Sequence, residues 1–76
     1  MTKRPASVKK KNWKLGRHIR KIRMAKGMTQ EEVAERMGVN TSWVGRIETG
    51  RTTPGLRLLG NIARALGVKV NELIPY

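Results

Sequence analysis

The stretch MTQEEVAERMGVNTSWVGRIETGR, residues 28–51, carries the densest local signals in the chain. Thr29 and Glu32 stand at the spacing of a capping box, in which hydroxyl and carboxylate satisfy each other's orphan backbone N–H groups. Met28 and Val33 have the spacing of a hydrophobic staple. A helix is therefore predicted from Gln30, burying Val33, Ala34 and Met37. Gly38 stops it, because the chain must turn sharply there with a positive φ that a side chain resists. Asn40 reads as the next N-cap, with Val39 and Val44 again at staple spacing. It opens a helix over about Thr41–Thr49 that Gly50 ends. That helix turns Val44 and Ile47 inward and Thr41, Ser42, Gly45 and Arg46 outward. Residues 30–49 thus read as a helix-turn-helix.

Outside this unit the same period continues. A first helix is predicted over about Lys14–Lys26, with Leu15, Ile19 and Ile22 on one face and Gly27 as its stop. After the loop Arg51–Gly55, a fourth helix over about Leu56–Leu66 turns Leu56, Leu59, Ile62, Ala63 and Leu66 inward. Gly67 precedes a short fifth helix, about Val70–Ile74. Strand-like alternation is missing throughout and Phe is absent, so the expected fold class is all-α, a five-helix bundle with short connections. Residues 1–12, MTKRPASVKKKN, are polar and lack helical periodicity; they read as a flexible basic arm preceding a folded domain at 13–76.

Composition narrows the function. With 76 residues there is room for one domain and a small core. Of the 17 Lys and Arg, eleven lie in residues 1–26, where there is no acid; residues 27–76 hold the other six against all five Glu. A charge asymmetry of this kind on a near-neutral module points to a polyanionic partner. There is no Cys and a single His, His18. No thiolate nucleophile, disulfide framework, metal site, cofactor or catalytic triad is therefore expected, and an enzyme is disfavoured. No apolar run reaches the ~20 residues that cross a bilayer and no signal-peptide pattern opens the chain, so a cytoplasmic, nucleoid-associated protein without a membrane role is expected.

The ordered pieces TQEEVA, MGV and RIETG within 28–51, then TPGLRLLGNIARALGV (53–68) and NELI (71–74), resemble the Cro/repressor-type, XRE-like family of lambda-repressor-like helix-turn-helix domains. The likeness runs from Leu15 to Ile74, about four fifths of the chain. It implies double-stranded DNA as partner, with the third helix in the major groove. By matching position, Thr41, Ser42 and Arg46 would meet base edges, Arg46 as a bidentate partner for guanine. Gln30, Asn40, Trp43, Thr49 and Arg51 would hold the backbone, Gln30 with the help of its helix N-terminus. Arg23 and Glu48 would form a structural ion pair. The C-terminal residues Val70, Leu73, Ile74 and Tyr76 would form a homodimer interface, with recognition helices one DNA turn apart, or else close the monomer core. The expected function is a sequence-specific transcriptional regulator, a repressor on a short inverted repeat. The alternatives are an antitoxin or adaptor whose main partner is a protein such as a toxin, and a non-specific nucleic-acid-coating protein. No small-molecule ligand domain is expected.

Several residues leave two readings open. Trp43 stands where this family usually has a small polar residue; its indole either meets DNA or shields the junction of helices 2 and 3. Gly45 lies mid-helix, at a cost of ~1 kcal/mol relative to Ala; either a close approach to DNA or to helix 2 explains it, or the site simply tolerates a small residue. Trp13 either staples the arm to helix 1 or inserts toward DNA. His18 reads as an exposed, solvated side chain. Lys14, Arg17, Arg20, Lys21 and Lys26 either form a solvated face or touch phosphates. Lys3, Arg4, Lys9, Lys10 and Lys11 would form an arm that wraps into a neighbouring groove.

Overall fold

The computed structural model describes residues 10–75, with side chains from Trp13 onward, as five helices: α1 (Lys10–Ala25), α2 (Gln30–Met37), α3 (Thr41–Glu48), α4 (Leu56–Leu66) and α5 (Val70–Leu73). No strand occurs among the described residues. Each of the four positive-φ residues is a glycine: Gly27, Gly38, Gly50 and Gly67. Each sits where the sequence expects a stop.

All five helices contribute to the core. Leu15 and Ile19 of α1 meet Val33 and Ala34 of α2, Val44 and Ile47 of α3, Leu59, Ile62, Ala63 and Leu66 of α4, and Leu73 of α5. Met28 and Val39, the outer halves of the two staples, pack half-buried against this cluster. Ile22 and Met37, expected inside, are also only partly buried.

Four placements differ from, or add to, those expected. First, α1 begins at Lys10 instead of Lys14. Polar helix formers such as Lys leave no hydrophobic period to read, so the boundary is invisible to pattern. Lys10 and Lys11, assigned to the arm, therefore belong to the first turn of α1, although their side chains are not among those described. Lys3, Arg4, Lys9 and Tyr76 lie outside the described residues. Second, Leu56 is 80% exposed. Its spacing from Leu59 is helical, but the first turn of α4 overhangs the core. Third, Ala65 is buried instead, beneath Arg36, whose Nη1 donates to the Ala65 carbonyl at 3.1 Å and ties α2 to α4. Fourth, Leu73 is 0% exposed. A side chain already inside the monomer has no surface to give a second copy, so Leu73 leaves the proposed dimer set.

Short helix α5 is fastened at both ends. The Lys69 backbone N–H donates to Glu72 Oε2 at 2.7 Å. His18 reaches from α1 to the Glu72 carbonyl, with Nε2 2.8 Å from the oxygen. The carbonyl only accepts, so the imidazole donates. His18 is thus a clasp between α1 and α5 and not the solvated side chain expected.

Candidate nucleic-acid interface

The α2–α3 unit is built as its capping pattern dictates. The Glu32 N–H donates to Thr29 Oγ1 and the Thr29 N–H to Glu32 Oε1, each at 3.0 Å. At the turn, Gly38 adopts φ 69°, ψ 34°, and the N–H of Val39 reaches back to the Ala34 carbonyl at 3.0 Å. This closes the last turn of α2 and launches α3 at a fixed angle. Asn40 occupies the N-cap of α3 in extended conformation, but its side chain makes no cap hydrogen bond. The cap was expected to come from that side chain. The backbone performs it instead, with the Trp43 N–H donating to the Asn40 carbonyl at 3.0 Å. Exposed Asn40 keeps its amide for an outside partner.

The two faces of α3 differ sharply. Val44, Ile47 and Glu48 are buried, whereas Thr41, Ser42 and Arg46 are exposed together on the outer side. Arg51 is exposed just beyond the helix. These side chains present hydroxyl and guanidinium groups, the chemistry that reads base edges and phosphates. Trp43 is half-buried and packs against the core. Thr49 Oγ1 donates to the Gly45 carbonyl at 2.9 Å. The hydroxyl also lies 3.3 Å from the Arg46 carbonyl, so it turns back onto the last turn of α3.

Beneath this surface lies a buried polar network. Arg23 of α1 grips Glu48 of α3 through two parallel hydrogen bonds, Nε to Oε2 at 2.6 Å and Nη2 to Oε1 at 3.1 Å. Its remaining Nη1 donates to the Met28 carbonyl at 2.7 Å. Gln30 of α2 joins the same carboxylate, with Nε2 3.0 Å from Glu48 Oε1. Three helices thus meet on one carboxylate. No buried side-chain polar atom among the described residues lacks a partner. The second N–H of Gln30 is not needed by Glu48, so a phosphate contact and the network are compatible.

Sequence reasoning missed the contribution of Gly16. A Cβ built there would stand 2.1 Å from the Ile47 carbonyl oxygen and 2.7 Å from that of Glu48. Helix α1 therefore touches the C-terminal end of α3 backbone to backbone, and only glycine fits. The signal was present: a glycine inside an otherwise regular amphipathic helix carries a cost that some close approach must offset. At Gly45, by contrast, an added Cβ meets only the Gln30 amide at 3.9–4.0 Å, an ordinary contact. Proximity to α2 does not explain that glycine. His18 and Arg36 are the other contributors missed, because hydrogen bonds to distant carbonyls leave no mark in local sequence.

Comparison with known proteins agrees with this architecture. Residues 14–73 match the family model described as a helix-turn-helix domain, and the chain belongs to that family, of the Cro/repressor type. It is 38% identical over 60 residues to the HTH-type transcriptional regulator YazB of Bacillus subtilis (strain 168), covering 79% of this chain and 87% of YazB. Among solved structures it resembles the restriction-modification controller protein C.AhdI from Aeromonas hydrophila, with TM-score 0.77 and 36% identity over 80% of this chain and 92% of that one. It also resembles the controller protein C.Esp1396I, solved as a tetramer with its natural 35 base-pair operator, with TM-score 0.75 and 26% identity over 86% of this chain and 96% of that one. No described helix is long and apolar enough to cross a membrane.

Proposed function

We propose that this protein is a sequence-specific, double-stranded-DNA-binding transcriptional regulator that places α3 in the major groove. The observation that carries the reading is the division of α3. Its inner face is locked by Val44, Ile47 and the Arg23–Glu48 pair, while Thr41, Ser42 and Arg46 stand exposed together on a rigid mount. Precise base readout needs such a mount, because a loosely held helix samples wrong registers. Thr41, Ser42 and Arg46 meet base edges in this reading. Gln30, Asn40 and Arg51 hold the backbone. Relatives that are transcriptional regulators, and a structural neighbour solved on its operator, support it.

The protein acts by binding and not by catalysis, as a homodimer on a short inverted repeat, in the cytoplasm. Of the C-terminal residues, half-buried Val70 and Ile74 remain candidates for the dimer contact. Repression follows if the operator overlaps a promoter, since occupancy then excludes polymerase.

Selection of bound duplexes from a random pool at ~0.15 M salt tests the reading, because only specific binding keeps a strong sequence preference there. Enrichment of a palindrome with half-sites one turn apart is expected. Arg46→Ala should relax preference at one position per half-site by ~1–3 kcal/mol while the fold stays intact. Tight low-salt binding without any enriched sequence would instead favour a coating protein.

A further inference from the structure

We propose that the outer face of α1 docks an acidic, amphipathic segment of a second protein. The face holds an open groove of about 880 Å³ floored by Met24, Pro75 and the Trp13 ring, and rimmed by Arg17, Arg20 and Lys21. Met24 is 59% exposed, one of two large hydrophobic side chains so exposed among the described residues. The Arg17 guanidinium lies over the Trp13 ring, 5.1 Å from its centroid, so cation and aromatic surface are already joined. No carboxylate is among the described residues that line the groove.

Charge and apolar surface together select the occupant. The chain's own residues 1–9 carry Lys3, Arg4 and Lys9 and no acid, so they offer the cationic rim no counter-charge. A second copy presenting the same face would set cations against cations. A phosphate backbone would satisfy the rim but leaves the apolar floor in water, which gains nothing. An acidic segment with large apolar side chains satisfies both, in the helix-in-groove mode. From Trp13 to Met24 the groove runs about 16 Å, three helical turns.

The face lies around α1 from the side that meets α3. Gly16 and Arg23 mark the side of α1 that meets α3. At 3.6 residues per turn, Met24 lies about 100° and Lys21 about 160° around the helix from Arg23. A partner seated there leaves Thr41, Ser42 and Arg46 open. This simultaneity rests on the DNA reading above; the docking itself does not.

The experiment titrates the full 76-residue chain, ¹⁵N-labelled, with a blocked synthetic peptide about 16 residues long, having Leu at helical i, i+3, i+4 and i+7 positions and Glu elsewhere. A scrambled peptide of the same composition and an oligothymidylate of similar length serve as competitors. Amide shifts confined to α1 are expected, with the scrambled peptide about tenfold weaker. Met24→Ser should weaken the peptide about tenfold and leave duplex-DNA affinity within about twofold; exposed Lys21→Glu should also weaken the peptide. Equal binding of the scrambled peptide, or displacement from α1 by either nucleic acid, would overturn the proposal and assign the face to phosphates.

Discussion

Gly16 and Glu48 are the residues on which the position of α3 depends, and both act through the same end of that helix. Gly16→Ala would drive a methyl into the Ile47 and Glu48 carbonyls. These are backbone atoms and cannot swing aside. The gain in helix propensity, ~1 kcal/mol, is outweighed, and a net loss of about 1–3 kcal/mol is expected in urea denaturation. Glu48→Ala would strand the Arg23 guanidinium, whose side chain is 10% exposed, beside an emptied site. Breaking a buried pair costs about 3–5 kcal/mol, whereas a well-packed Arg23→Met, Glu48→Leu double variant should recover much of that in the same assay. If the double variant were no better than Glu48→Ala, the pair would be specifying structure beyond its own charge balance.

Among the elements, α5 depends most on its neighbours. Four residues cannot sustain a helix in water. It persists because Leu73 is fully enclosed and because His18 and Lys69 fix its ends. Leu73→Ala should cost about 2–5 kcal/mol in global stability, and hydrogen exchange should show α5 and the adjoining part of α1 opening first. The helix-turn-helix element was nearly all legible beforehand. Thr29–Glu32, Gly38 and the two staples are local codes, and each appears in the structure where its spacing put it. The start of α1 and the side chain of Asn40 were not legible. A run of lysines carries no period, and a cap residue in the right place can still leave the capping to its backbone.

For the whole molecule, the charge distribution governs how binding responds to salt. Because α1 starts at Lys10, removing residues 1–9 leaves the helix whole while deleting Lys3, Arg4 and Lys9. If those three meet phosphates, deletion should weaken binding to all duplexes alike and reduce the slope of log K against log salt by up to about 2.7. Fluorescence anisotropy across a salt series measures this. Selective loss of preference for one sequence would instead make the segment part of base readout.

The all-α class, the four glycine stops, the span of the helix-turn-helix and the outward set Thr41, Ser42 and Arg46 were all determined by the sequence alone. Each is a matter of residues within a few positions of one another, where capping and periodicity act. Only the tertiary structure decided that Gly16 admits α3, that Gln30 shares Glu48 with Arg23, that Thr49 turns its hydroxyl to its own helix, and that Leu56 lies outside while Leu73 lies inside. These outcomes depend on which surfaces meet across the chain, and packing geometry between distant elements leaves no periodic trace in the sequence.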